Sequence, residues 1–412
     1  MRVPRPSFAA AISIGIALRV ALFLAASPGR RLYVPDSFDY LVLARNLAAG
    51  GPFSRDARPP FRPEILRTPV YPSFLAGLAR MGLPLPSAGT LAGVFLSVLA
   101  VILVRAIALE RGVSRRGADV AALLVALDLG SAAYANFLLS EALFVALLLL
   151  AFQSLGGSAR ESTVARSLRG GALLGLAILC RPIALGLPLV LSAGRRLRMA
   201  VLVVGSSAAV VVPWMIHNAA AAGSFTVSSV ASVNLYYHRA EKVLDARQGR
   251  EEEPPANPPG ENDPSATARM RKEGFSVLWH HPGTLARLTL KAWARTFGPD
   301  ERPLFQLVGI PVGPEPHWLS RGASREPANA ARCENLFEGV FLIFLAAAFL
   351  RGIAAARNPG LRPVVLSALS VVGYFLLVSG PEYYGRFRVP IIPFLALVAG
   401  AGFRKRPEGC AR

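Results

Sequence analysis

The chain has 412 residues, 53% hydrophobic and only 17% charged, with a mean hydropathy of +0.44. Soluble domains carry about 25% charged residues, so an ordinary water-soluble globule is excluded. The apolar residues fall in runs of membrane-spanning length, which favours one polytopic membrane domain over residues 1–412. Lys and Arg number 45 against 25 Asp and Glu, a net charge of +20; most of the surplus flanks apolar runs, where it orients a chain in a bilayer, so no nucleic-acid partner is expected.

The first apolar run, 7–26, follows Arg2 and Arg5. It resembles a secretory signal ending at Ala25-Ala26-Ser27, but its length and the spans that follow favour a retained first span. Further spans are expected at 88–109, 118–135, 138–155, 170–194, 199–219, 336–351, 363–379 and 387–403. Pro182, Gly186 and Pro188 predict a break within 170–194. Two short segments there give about ten membrane segments, with both termini on one side. Under that count the short basic loops (Arg111, Arg115 and Arg116; Arg160, Arg166 and Arg169; Arg195, Arg196 and Arg198; Arg351, Arg357 and Arg362) share the N-terminal side with Arg404, Lys405 and Arg406 of the tail. The positive-inside rule makes that side cytoplasmic.

Two longer loops, 27–87 and 220–335, then face outward into the periplasm or exterior. The first carries Arg30, Arg31, Arg45, Arg55, Arg58, Arg62 and Arg67, against the orientation rule for a loop of its size. Either the topology is locally different or these cations serve a purpose outside. The second contains a polar, Pro-rich stretch near 247–263 that reads as flexible. Cys180, Cys333 and Cys410 make no disulfide framework and no Cys-x-x-Cys metal spacing.

Within the first loop, Pro35-Asp36-Ser37 is a helix-start signal, and Phe38, Leu41 and Val42 continue with helical spacing. Too short and polar to span, this segment is expected to lie along the outer interface. Asp36, Asp39 and Tyr40 share one face. Two readings stand: Asp36 is an N-cap with Asp39 an acid of the first turn, or Asp36 is a general base facing a cavity. Arg62 and the Pro-stiffened return Arg67-Thr68-Pro69-Val70-Tyr71-Pro72 follow. Carboxylates and guanidiniums converging at an apolar interface suit an anionic, lipid-borne substrate.

Glu141 opens a span, where an interfacial acid is either solvated or paired with a loop arginine. Asp128 lies deeper and is expected to form a structural ion pair with Arg105 or Arg181. Arg181 either touches a phosphate or snorkels. Arg386, in the turn Glu382-Tyr383-Tyr384-Gly385-Arg386, is an interfacial anchor or a phosphate ligand. Trp279, Trp293, Phe297 and Trp318 suit a sugar-stacking or membrane-lying surface as well as core or interface anchors. His238, His280, His281 and His317 show no metal-ligand spacing with carboxylates, and no nucleotide loop or hydrolase elbow is present, so neither metal nor cofactor is expected.

Five landmarks fall in order along nearly the whole chain: Asp36-Ser37-x-x-Tyr40; Arg67-Thr68-Pro69-x-Tyr71-Pro72; Leu139-Ser140-Glu141; Pro213-Trp214-x-x-His217-Asn218 with Gly223-Ser224-Phe225 after it; and Arg386-Phe387-Arg388-Val389-Pro390-x-x-Pro393. Together they resemble the GT-C superfamily, specifically bacterial family 39-like relatives of the protein O-mannosyltransferases and the lipid A aminoarabinose transferase. The resemblance implies an all-α, GT-C-like bundle. It implies a glycosyltransferase of a bacterial inner membrane that moves a sugar from a polyprenyl-phosphate carrier to a lipid, glycan or protein acceptor at the outer face. It places Asp36 as the catalytic carboxylate, with Asp39 the nearest second acid, although the common Asp-Glu adjacency is missing. Tyr40, Arg67, Tyr71, Glu141, Arg181, Asn218 and Arg386 become substrate contacts. His217 stands where Arg is common, which implies a weaker or pH-dependent phosphate contact there. The rival reading, a transporter or flippase of an anionic lipid-linked substrate, accounts for intramembrane charges but places its polar groups at mid-membrane rather than in one loop.

Overall fold

The computed structural model describes residues 7–156, 163–250, 259–300, 302–310 and 328–403, and among them no strand occurs. A segment crossing lipid must satisfy its own backbone donors and acceptors, which a helix does internally. The chain begins with α1 (Phe8–Ala25) and makes a first excursion through α2 (Pro35–Ala48) and α3 (Val70–Arg80). It returns through α4 (Ser87–Glu110), α5 (Arg115–Leu127), α6 (Leu129–Tyr134), α7 (Glu141–Gly156), α8 (Thr163–Cys180), α9 (Leu187–Ser192) and α10 (Leu197–Ala222). A second excursion holds α11 (Val230–Val233), a π-helical turn Asn234–Ala240, α12 (Glu241–Gln248), α13 (Pro264–His280), α14 (Pro282–Thr296) and α15 (Arg302–Val308). The bundle closes with α16 (Ala328–Ala355), α17 (Arg362–Ser379) and α18 (Ile392–Ala401).

Among the described residues, six helices are long and apolar enough to cross a membrane: α1, α4, α8, α10, α16 and α17. The shorter apolar α7 and α18, with the stretch Pro182–Ser192, complete the bundle. The expected all-α polytopic architecture is thus the one observed. α18 is apolar around its whole circumference and buried along its whole length, as a helix without a polar face must be. Glycines let its neighbours approach closely: a Cβ on Gly117 would lie 2.2 Å from the Gly400 carbonyl oxygen, and one on Gly352 would lie 1.8 Å from that of Val398. Small residues at such crossings replace a hydrophobic driving force that lipid does not supply.

Several boundaries differ from expectation. The run 118–135 is interrupted at Asp128, whose extended backbone ends α5 and whose Oδ2 accepts Ser131 N at 2.7 Å to cap α6. The run 170–194 breaks where Pro182 predicts, with Arg181 extended between α8 and a 3-10 turn. The run 336–351 lengthens in both directions into α16. In the second excursion, residues 251–258 of the expected flexible stretch lie outside the described residues, but Glu261 and Asn262 pack firmly against the first excursion. His317, Trp318, Arg160 and the basic tail with Cys410 also lie outside the described residues.

The basic loops gather at one end of the bundle. Arg111 donates to the Phe152 carbonyl at 2.9 Å and Arg195 to that of Leu155 at 2.8 Å. Arg116 and Arg351 both lie over the Phe403 ring, at 5.8 and 5.4 Å. The two excursions occupy the other end. Between them the bundle buries charge. Arg388 pairs with Glu338 and lies 3.6 Å from Asp128, while Arg19, fully buried, donates to Ser97 Oγ at 2.7 Å and to the carbonyls of Gly15, Val125 and Ala126. The expected partners of Asp128 are corrected by this arrangement: Arg105 pairs with Asp119 at 2.7 Å and Arg181 with Glu141. The kink at Asp128 lets one carboxylate oxygen cap α6 while the other lies beside Arg388 in the turn that precedes α18.

Candidate active site

Pro35 occupies the first turn of α2, Val34 takes the N-cap position, and no side chain caps the helix. Asp36 is therefore not a cap, and its carboxylate is free to face sideways. Its Oδ1 accepts Arg67 Nη2 and its Oδ2 accepts Arg386 Nη1, both at 2.7 Å. Asp39, one turn on, accepts Arg67 Nε at 2.9 Å and Nη2 at 2.7 Å, with Arg55 at 3.3 Å. Burial by itself pushes the Asp36 carboxyl up, but Arg67 and Arg386 more than reverse it and hold the group well below the usual carboxylate range. Burial likewise works against the Arg67 and Arg386 charges, but Asp36 together with Tyr40 and Asp39 around Arg67, and with Glu141 and Tyr134 around Arg386, more than offsets it, so both guanidiniums stay charged.

These groups line a cavity of about 620 Å³ at the end of the bundle away from the basic loops. Arg181 joins it from the α8–α9 break, and Arg239 and His238 from the π-helical turn. Arg181 pairs with Glu141, which is 1% exposed, and lies 3.4 Å from Ser140 Oγ. Arg239 donates to Glu382 at 2.6 Å and to the Val378 carbonyl at 2.5 Å. The remaining wall is aromatic (Tyr33, Tyr40, Tyr134, Tyr374, Tyr384, Phe387) and aliphatic (Val34, Leu66, Ile183, Leu185, Val230, Val233, Val378). Each arginine on this wall has a carboxylate partner from the protein itself, so an incoming anion must take guanidiniums over from those partners. Bidentate guanidinium–oxyanion bonds make such an exchange favourable for a phosphate. Among the described residues no cluster of three or more His, Cys, Asp or Glu is placed to hold a metal ion.

The turn that delivers Arg67 is held from the second excursion. Glu64 accepts the backbone N–H groups of Leu66 at 2.5 Å and Arg67 at 3.0 Å. Asn262 Oδ1 accepts those of Ile65 at 3.0 Å and Leu66 at 3.1 Å, and its amide donates to Glu64 at 3.1 Å. Arg55 pairs with both Glu64 and Glu261. None of Glu64, Glu261, Asn262, Arg239 or Glu382 was nominated from the sequence. The available signal was Asp263-Pro264, a helix start whose Asp263 side chain caps α13 through Ser265 N at 2.8 Å. Asn262→Ala is expected to strip the acceptor from Ile65 N–H, leave Leu66 N–H with Glu64 alone, and lower stability by about 1–3 kcal/mol, read as a fall in the thermal midpoint of the purified protein; an unchanged midpoint would show that the turn holds itself.

Of the residues nominated earlier, Asp36, Tyr40, Arg67, Arg181 and Arg386 share the cavity wall. Asp39 and Glu141 stand behind it as arginine partners. Tyr71 is buried, edge-on to Tyr40 at 4.8 Å, and shapes the wall from behind. Gly223, left-handed at φ 71°, ends α10 and turns the chain back, so the Asn218 amide is used on the Thr226 and Val227 carbonyls at 2.8 and 3.4 Å. His217 stacks on Trp214 at 4.8 Å. Neither residue lines the cavity.

No family model matches the chain, and no curated protein matches it. Among solved structures it is similar to the archaeal oligosaccharyltransferase AglB from Archaeoglobus fulgidus in complex with an inhibitory peptide and a dolichol-phosphate, at 16% identity and a TM-score of 0.48 over 96% of this chain and 50% of that one. It is also similar to ArnT from Cupriavidus metallidurans in the apo state, at 16% identity and a TM-score of 0.42 over 95% of this chain and 75% of that one. The chain thus spans about half the length of AglB.

Proposed function

We propose that the chain is a membrane glycosyltransferase. It takes a sugar from a polyprenyl-phosphate carrier and passes it to a lipid, glycan or protein acceptor at the outer face of a bacterial inner membrane, with both termini cytoplasmic. The observation that carries this reading is Asp36 clasped between Arg67 and Arg386 on the wall of a cavity of about 620 Å³ with apolar sides. Leu185 lines that cavity and is 56% exposed, which gives an isoprenoid chain an apolar way out toward lipid.

In this reading the donor phosphate takes oxygen contacts from Arg67 and Arg386, with Arg181 as a third guanidinium. The bond from the anomeric carbon to the carrier oxygen breaks, and its electron pair stays on the phosphate. The leaving group thereby goes from one negative charge toward two, so the arginines bind it more tightly in the transition state than in the bound donor. Asp36 and Asp39 keep Arg67 and Arg386 aimed before the donor arrives, and Glu141 does the same for Arg181. Tyr40, backed by Tyr71, supplies a flat face for the sugar.

Purified protein in lipid nanodiscs, given undecaprenyl phosphate carrying a labelled sugar and a membrane extract as acceptor pool, is expected to move label to the extract and release undecaprenyl phosphate in equal amount. Donor that stays intact with every sugar tried, yet crosses the bilayer of reconstituted vesicles, would overturn transfer in favour of transport.

A further inference from the structure

Transfer to a hydroxyl needs a destination for the hydroxyl proton, and the carboxylates of the wall are poorly placed to be one. Both oxygens of Asp36 are held at 2.7 Å by guanidiniums, Glu382 is bound by Arg239 at 2.6 Å, and Glu261 is bound by Arg55. A carboxylate so engaged gives up basicity in exchange for its ion pair. His238 is different. Its half-buried ring lines the same cavity, and it has no hydrogen-bond or ion-pair partner among the described residues. It sits in the π-helical turn Asn234–Ala240, a winding that often marks functional sites, and Asn234, His238 and Arg239 of that turn all line the cavity. The Arg239 bonds to Glu382 and to the Val378 carbonyl pin the turn against α17.

We infer that His238 is the general base of this site and that the acceptor is a neutral hydroxyl; the inference rests on the transferase reading above. One imidazole nitrogen takes the hydroxyl proton as the acceptor oxygen bonds to the anomeric carbon and the carrier phosphate departs with its electron pair. The imidazole gains one positive charge while the phosphate gains one negative charge, so the step balances. A phosphate acceptor, already an anion at neutral pH, has no need of such a group.

The charged groups facing His238 are Glu382 and Arg386 from the turn between α17 and α18, Asp36 from α2 and Lys242 from α12. Burial lowers its proton affinity first; Glu382 and Asp36 oppose this, while Arg386 and Lys242 reinforce it, and the net displacement is downward. At neutral pH the ring is therefore unprotonated and able to accept. Once protonated, it has the carboxylates of Glu382 and Asp36 nearby to stabilise it.

The experiment compares wild type with His238→Gln in nanodiscs, measuring kcat and donor KM across the range of histidine titration. Wild-type kcat is expected to fall on the acid side with a midpoint below the ordinary imidazole value of about 6.5. His238→Gln is expected to lose about 10²- to 10⁴-fold in kcat, keep its donor KM, and show no acid limb. His238→Ala is expected to regain rate when free imidazole is added, which a purely structural role does not predict. Full kcat with the acid limb intact in His238→Gln, or a loss confined to donor KM, overturns the assignment. Wild-type protein that transfers no sugar would instead overturn the transferase reading itself, a separate result.

Discussion

Asp36→Asn is expected to reduce sugar transfer by about 10³-fold at every pH, with donor KM raised and kcat lowered together. The amide keeps the size of the side chain but removes the charge, and it presents an NH₂ group toward one of two guanidiniums that now sit 2.7 Å from carboxylate oxygens. Arg67 retains Asp39 at 2.7 Å; Arg386 loses its ion pair with Asp36 and no longer points at the donor phosphate. Since all three side chains are between 13% and 19% exposed, stripping the pair should also cost stability toward the low end of the ~3–5 kcal/mol typical of a broken buried pair. The pH signature separates this variant from His238→Gln. The native Asp36 carboxyl lies below its unfolded value, so its stabilisation is present in full above the ordinary carboxylate value of about 3.9 and is lost as pH falls toward the lowered native one. Asp36→Asn should therefore flatten the acid side of the unfolding curve while leaving the histidine limb of kcat in place. A variant that transfers sugar at the wild-type rate would remove Asp36 from the site.

Arg388→Leu is expected to be the most destabilising single change, on the order of 3–5 kcal/mol. Arg388 is 3% exposed and stands between the equally buried Glu338 and Asp128. It also donates to the Gly298 carbonyl at 3.0 Å, and Glu338 accepts Asp300 N at 2.8 Å. One guanidinium thus ties α16, the end of α14, the α5–α6 kink and the turn before α18 together. Removing it leaves two acids without their shared counter-charge in the interior of the bundle, where bare ionised groups are most costly. The double variant Arg388→Leu with Glu338→Leu should recover part of the loss, because one of the stranded charges goes with its partner. Thermal unfolding of the three purified proteins measures both effects; a double variant no more stable than Arg388→Leu alone would show that the pair is not coupled. Arg386 and Arg388 flank Phe387 around a single 3-10 turn, so Arg388→Leu should also weaken donor binding by letting Arg386 shift.

Much of the bundle is readable from single runs of residues. α1, α4, α10 and α17 lie close to where their apolar runs predict, and the break in 170–194 falls at Pro182 because a proline cannot donate to the helix before it. Burial of an apolar run, a helix start and a proline break are local properties, legible within one short stretch of chain. The sequence also nominated Asp36, Arg67 and Arg386 one at a time. That these meet, across sequence separations of 31 and 350 residues, was decided only when the helix ends assembled. The same holds for the partners of Asp128, for Asn262 rising from a Pro-rich stretch to hold the Arg67 turn, and for Asn218, whose amide is consumed by its own loop. A charged or amide side chain takes whichever partner the packed helices bring within about 3 Å, and that competition among distant groups leaves no periodicity or spacing in the chain to read.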